Sequence, residues 1–164
     1  MLGIFWLMFI ALAGNGFLFK PYQVPSDSME PAIRENDRIV VDRLVYHFLP
    51  IRRGDVIVFA SPASVGTGTP LVKRVIGLPG DTVEIRDGQV LVNNHPFIVA
   101  GATSPTYTLR KVIVPPGQLF VLGDNRDYSY DSHVMRFGDV PKDNVIGRVE
   151  VVYWPPSHIR SCMD

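Results

Sequence analysis

The feature that most narrows the folding choices is punctuation: 14 prolines and 14 glycines are spread through 164 residues. Proline removes a backbone donor and glycine raises the entropic cost of order, so both favour short elements joined by turns. After Lys20 they leave no room for a long amphipathic helix, only a short helical turn at residues 28–34. The segments between them read as strands: DRIVVDRLVY (37–46), GDVIVFA (54–60), LVKRVIGL (71–78), DTVEIRDGQVLVN (81–93), RKVIVP (110–115), QLFVLG (118–123) and GRVEVVYW (147–154). Each is short, rich in Val, Ile and aromatic residues, and bounded by Gly, Pro or Asp. Asp87 and Gly88 suit the positive dihedrals of a two-residue hairpin turn, while SPASVGTGTP (61–70) reads as a mobile surface loop between strands. The chain is a mainly β protein without internal repeats, long enough to bury its own core.

The first 19 residues have another character. Residues 2–19, LGIFWLMFIALAGNGFLF, carry no charge and show no polar face, which argues against an ordinary core helix. A cleaved signal peptide would carry a basic leading region and a small-x-small site ahead of a clean mature start, and neither is found. As a helix the segment would span about 27 Å, near the short limit for a bilayer core of about 30 Å. We therefore expect residues 1–19 to form a short membrane-anchor helix and residues 20–164 the working domain. Lys20, the nearest charge, does not by itself orient the anchor.

Charge excludes some functions. The 16 Lys plus Arg balance the 16 Asp plus Glu, so binding of nucleic acid by bulk charge is not expected. Cys162 is the single cysteine, which rules out an intrachain disulfide or a multi-cysteine metal site. No metal or other cofactor is expected, and oligomeric state leaves no trace in the sequence.

Three polar clusters could carry chemistry. VPSDSMEP (24–31) offers two serines, and serine needs a base before it can attack a carbonyl. His133 lies two residues from Asp131 in DYSYDSH, which keeps a Ser-His-Asp triad open. The other candidate base is Lys73, the one lysine of four inside a strongly apolar strand, PLVKRVIGLPGD. A free lysine titrates near about 10.4, and burial against apolar neighbours lowers that value toward a usable range. Strand alternation sends Lys73 and Arg74 to opposite faces, so only one of them is expected to be buried. As ordinary charges on an edge strand the two would have no catalytic role. The third cluster, LGDNRDYSYDSH (122–133), has the composition of a loop that hydrogen-bonds its own backbone.

Taken in order, PSDSMEP, RGDVIVF, LVKRVIGLPGD and GDNRDYSYDS resemble the signature boxes of the type I signal peptidases, membrane-bound Ser-Lys proteases that remove signal peptides from exported proteins. The resemblance spans about residues 17–154, and DSH together with YHFLPIRRGDVIVF is similar to the cyanobacterial and chloroplast branch. It implies antiparallel sheets forming a signal-peptidase-like domain, with Ser28 as nucleophile and Lys73 as general base. Ser26 would join the Ser28 amide in the oxyanion hole, Ser129 would hydrogen-bond and orient the lysine, and Asp131 would support it. Val24, Pro25, Met29, Ile33, Leu71 and Val72 fall where shallow pockets for small residues are built, implying cleavage after Ala-x-Ala type sites. The implied partners are signal peptides of exported preproteins and membrane lipid. The implied location is a single-pass protein of the plasma or thylakoid membrane, its catalytic domain on the periplasmic or lumenal side.

The sequence also departs from the family pattern. Ala32 stands where Thr is common, His133 replaces an Arg that would pair with Asp131, and residues 81–122 leave room for a small hairpin insertion but not a large accessory domain. Two other readings are a self-cleaving repressor of the SOS type, which shares the Ser-Lys dyad, and an inactive membrane-tethered β module that binds peptides. The first lacks DNA-binding helices ahead of the serine, and its Ala13-Gly14 pair lies inside the apolar segment. The second would normally have lost Ser28 or Lys73.

Overall fold

A computed structural model describes residues 18–62, 66 and 68–162. The proposed anchor helix at residues 1–17 lies outside the described residues, as do residues 63–65 and 67 of the loop expected to be mobile. Phe19, expected to belong to the anchor, already begins a strand, β1 (Phe19–Gln23).

The remaining strands follow as β2 (Arg38–Asp42), β3 (Val56–Phe59), β4 (Leu71–Gly77), β5 (Thr82–Arg86), β6 (Gln89–Val92), β7 (His95–Pro96), β8 (Leu109–Ile113), β9 (Gln118–Leu122), β10 (Val140–Pro141), β11 (Val145–Trp154) and β12 (Arg160–Ser161). Among the described residues eight strands make one antiparallel sheet, ordered β1-β2-β11-β3-β4-β9-β10 with β12 beside β11. Four make a second, ordered β7-β6-β5-β8, which fills the segment where a single hairpin was expected. Its extra turn is Asn93-Asn94, with φ of 53° and 67°, a repeat of the geometry that Asp87 and Gly88 adopt at 52° and 73°. Asn tolerates this left-handed region better than most residues, so the pair is a legible turn signal but a less obvious one than Asp-Gly.

The run 37–46 is not one strand. Asp42 accepts hydrogen bonds from the Leu44 and Val45 amides at 2.8 and 3.1 Å, which turns the chain into a short helix, α1 (Val45–Phe48). Aspartate competes with the strand ladder by bonding nearby backbone, and here it ends β2.

The core has three clusters that together cover both faces of the large sheet. Val24, Met29, Ile33, Ile39, Val41, Val56, Val58, Val149 and Val152 pack on one side. Ile57, Phe59, Val75, Leu119, Val121, Phe137 and Val140 pack on the other. A third group, including Ile76, Val83, Phe120 and Leu122, joins the two sheets. β4 runs between β3 and β9 and is therefore an interior strand with both faces covered. The expectation that only one of Lys73 and Arg74 could be buried is thus corrected: they are 4% and 8% exposed, because each face has its own covering layer.

Candidate active site

Ser28 sits on a turn that the sequence builds locally. The Glu30 amide donates to the Asp27 carbonyl at 2.9 Å and the Ile33 amide to the Met29 carbonyl at 2.8 Å, closing one helical turn. Met29 and Ile33, wholly buried in the core, pin that turn to the sheet. Ser28 is left at its rim, 7% exposed, while Ser26 stays exposed with its Oγ 3.3 Å from Ser28 Oγ.

Lys73 reaches this turn from β4. Its Nζ donates to Ser28 Oγ at 2.5 Å, joining residues 45 positions apart. Burial pushes the Lys73 pKa down from its ordinary value to about 8, against the opposing pull of the Asp131, Asp124 and Asp27 carboxylates. At pH 7 such an amine is neutral in roughly a tenth of molecules, compared with less than about a thousandth for a free lysine. The Ser28 hydroxyl meets the Lys73 amine and the Ser26 hydroxyl, whereas the His133 ring meets Asp131.

The loop after β9 supplies the third side of the site. Asp131, fully buried, accepts from the Gly123 amide at 2.8 Å, from the Ser129 hydroxyl, and from His133 Nδ1 at 2.7 Å. The His133 imidazole thus takes up the Asp131 contact expected of an arginine, and it stacks on Tyr107 with ring centroids 4.1 Å apart. The role expected for Ser129 needs adjustment, since its hydroxyl donates to Asp131 and not to Lys73. That carboxylate is the one whose charge acts most on Lys73.

Three neighbours of the site lie in the GDNRDYSYDS box without an expected role. Gly123 lies so close to the site that a Cβ would collide with the Ser28 carbonyl oxygen and the Ser129 hydroxyl. Asn125 docks the loop on the serine turn, its amide donating to the Ser28 carbonyl at 3.2 Å and its side chain to the Asp27 carbonyl at 3.3 Å. Asp124 forms a two-pronged buried pair with Arg74, at 2.9 and 2.7 Å. For that pair a partial signal exists: an Arg beside the lysine and an Asp beside the last glycine of QLFVLG are opposite charges awaiting a partner.

The six expected pocket residues divide. Val24, Met29 and Ile33 are sealed in the core, while Pro25 is exposed and Leu71 and Val72 are half-buried. β9 pairs with β4 only from Arg74 onward, whereas β3 pairs with it from Leu71. Residues 71–73 therefore have strand pairing on the β3 side alone among the described residues.

Comparison with known proteins shows the family of the chain. The family model described as signal peptidase, peptidase S26, matches residues 1–154. A signal peptidase I of Leptolyngbya laminosa is 42% identical over 156 residues, covering 92% of this chain and 76% of the relative. The chloroplastic thylakoidal processing peptidase 1 of Arabidopsis thaliana is 32% identical over 162 residues, covering 92% of this chain and 46% of that longer protein. The crystal structure of a signal peptidase I from Enterococcus faecalis V583 is similar, with a TM-score of 0.51 and 35% identity, over 61% of this chain and 97% of that one.

Proposed function

The chain belongs to the signal peptidases of family S26, serine endopeptidases, and from that premise we propose that it cleaves exported preproteins after small residues with Ser28 as nucleophile and Lys73 as general base. The observation that carries this reading is the 2.5 Å hydrogen bond between Lys73 Nζ and Ser28 Oγ, both side chains being buried. Neutral Lys73 removes the Ser28 proton as Oγ attacks the scissile carbonyl carbon. The resulting oxyanion is received by the Ser28 amide and the Ser26 hydroxyl. Lys73, now an ammonium, gives its proton to the departing amine, and the peptide bond breaks to leave an ester on Ser28. A water deprotonated by the same lysine then hydrolyses the ester and returns Ser28 its proton.

Substrate binding follows from the open side of residues 71–73. An extended peptide adding itself there as a strand would place its scissile bond near Ser28, with main-chain hydrogen bonds giving affinity that tolerates many sequences. Leu71, Val72 and Pro25 border that edge, and Val72 packs on the sealed cluster of Val24, Met29 and Ile33, so the edge offers little depth, which favours small side chains of the Ala-x-Ala kind. The apolar residues ahead of β1 would hold the enzyme in the membrane from which its substrates emerge.

The test is cleavage of a preprotein with an Ala-x-Ala site by the full chain in detergent. Ser28→Ala and Lys73→Arg should each lower the rate by at least about a thousandfold, because arginine keeps the charge but cannot deprotonate. His133→Ala should retain most activity. Full activity in Ser28→Ala would overturn the reading, and substantial cleavage by Lys73→Arg that is lost in His133→Ala would transfer the base to the histidine.

A further inference from the structure

The loop that carries Ser28 joins β1 to β2, and the end of the chain holds it. Asp37 closes this loop: its carbonyl accepts from the Val24 amide at 2.9 Å, and its carboxylate accepts from the Arg34 amide at 2.8 Å. The Asp37 side chain is only 1% exposed, so its charge depends on donors within the fold. A second donor comes from far along the chain. His158 Nδ1 lies 2.7 Å from Asp37 Oδ1, joining residues 121 positions apart.

His158 ends a short 3-10 turn (Pro156–His158) that follows β11. Its other ring nitrogen, Nε2, lies 2.9 Å from Arg34 Nη1. A guanidinium only donates, so Nε2 accepts and Nδ1 carries the ring proton that is donated to Asp37. Two further contacts reach the same loop. Arg160 Nη2 donates to the carbonyl of Pro31, inside the helical turn beside Ser28, at 2.5 Å, and Cys162 packs against the cluster that holds Met29 and Ile33. Arg160 belongs to β12, which pairs with β11, so these contacts are anchored in the large sheet. The mechanism uses none of these groups.

We propose that residues 156–162 clamp the serine loop and that His158 is a positioning residue, setting where Ser28 Oγ stands relative to Lys73 Nζ. This rests on the reading of Ser28 as nucleophile. Without the ring, Asp37 would keep the Arg34 amide alone among the described residues, and the loop would open to hydrate a buried carboxylate. Ser28 would then shift away from a lysine that β4 holds fixed, while residues 71–73, where the peptide pairs, stay in place. The loss should therefore fall on kcat and spare KM.

The test compares the full-length wild type with His158→Ala, His158→Asn and Arg160→Met in detergent, by preprotein cleavage and by amide hydrogen exchange. His158→Ala should lower kcat by about ten- to a hundredfold and change KM by less than about twofold. Asparagine offers an N–H near the Nδ1 position, so His158→Asn should recover most of kcat. Arg160→Met loses the Pro31 contact but keeps an apolar stem; it should lower kcat by about three- to tenfold, and it decides the matter if His158→Ala does not fold. The Glu30 and Ile33 amides should exchange about tenfold faster in His158→Ala, with those of β3 and β9 unchanged. Unchanged kcat, a loss expressed in KM, or loop exchange no faster than in the wild type overturns the clamp. A wild type that does not cleave, with the loop exchange accelerated as described, overturns the protease reading and leaves the clamp standing.

Discussion

Lys73 is the residue on which the proposed mechanism most depends, because the same burial that would let it act as a base makes it sensitive to pH. With a pKa lowered to about 8 by desolvation, the neutral amine disappears as pH falls, so the cleavage rate should drop about tenfold for each unit well below that value. A rate profile from pH 9 to 6 checks this, and a flat profile would exclude a lysine base. Gly123 is constrained just as tightly for a steric reason. In Gly123→Ala the new methyl meets the Ser28 carbonyl and Ser129, so stability should fall by about 1–3 kcal/mol and cleavage should nearly vanish although Ser28 and Lys73 are intact. Denaturant melts and preprotein cleavage measured on one preparation would separate the two effects.

At the scale of elements, β4 and the loop after β9 are held together by charge as much as by the ladder. Arg74 Nε and Nη2 grip Asp124, and Arg74 Nη1 also donates to the Gly54 carbonyl at 2.8 Å. Asp124→Ala leaves a guanidinium buried without its carboxylate, which should cost about 3–5 kcal/mol. Replacing both residues with apolar ones, as Arg74→Met with Asp124→Leu, should recover a large part of that loss in urea melts. Much of the element pattern is legible in the amino-acid order: seven expected strand runs correspond to observed strands, and Asp87-Gly88 turns as its residue types require. The two-residue β7, β10 and β12 are not, since two residues carry no periodicity, and β1, FKPYQ, contains a proline and few β-formers. The end of β2 at Asp42 is also hidden, because it depends on the side chain choosing backbone over solvent.

For the whole molecule, Asp81 clasps the two sheets together. It accepts from Arg53, which precedes β3, at 2.7 and 2.5 Å, and from Asn93, in the turn of the small sheet, at 2.8 Å. Burial works to raise its pKa, but the hydrogen bonds from Arg53, the Leu78 amide and Asn93, with the Arg53 charge, win and hold it at about 2. A carboxylate held below its unfolded value of 3.8 stabilises the fold above that pH and loses its effect as pH falls toward 2. The wild type should therefore be more stable than Asp81→Asn at pH 6, with the gap closing by about pH 2 in thermal melts. A gap independent of pH would mean that packing, not ionisation, sets the contribution.

The sequence alone determined the β character of residues after Lys20, the order of the signature boxes, and a serine and a lysine set in surroundings suited to catalysis. These are local properties: turn chemistry, strand composition and the polarity of immediate neighbours can be read along the chain. Only the tertiary structure decided that both Lys73 and Arg74 are buried, and that the Ser129 hydroxyl and the His133 ring both meet the Asp131 carboxylate. Each of those depends on what covers a face or fills a gap, and packing between distant segments, which no single segment specifies, supplies the covering groups.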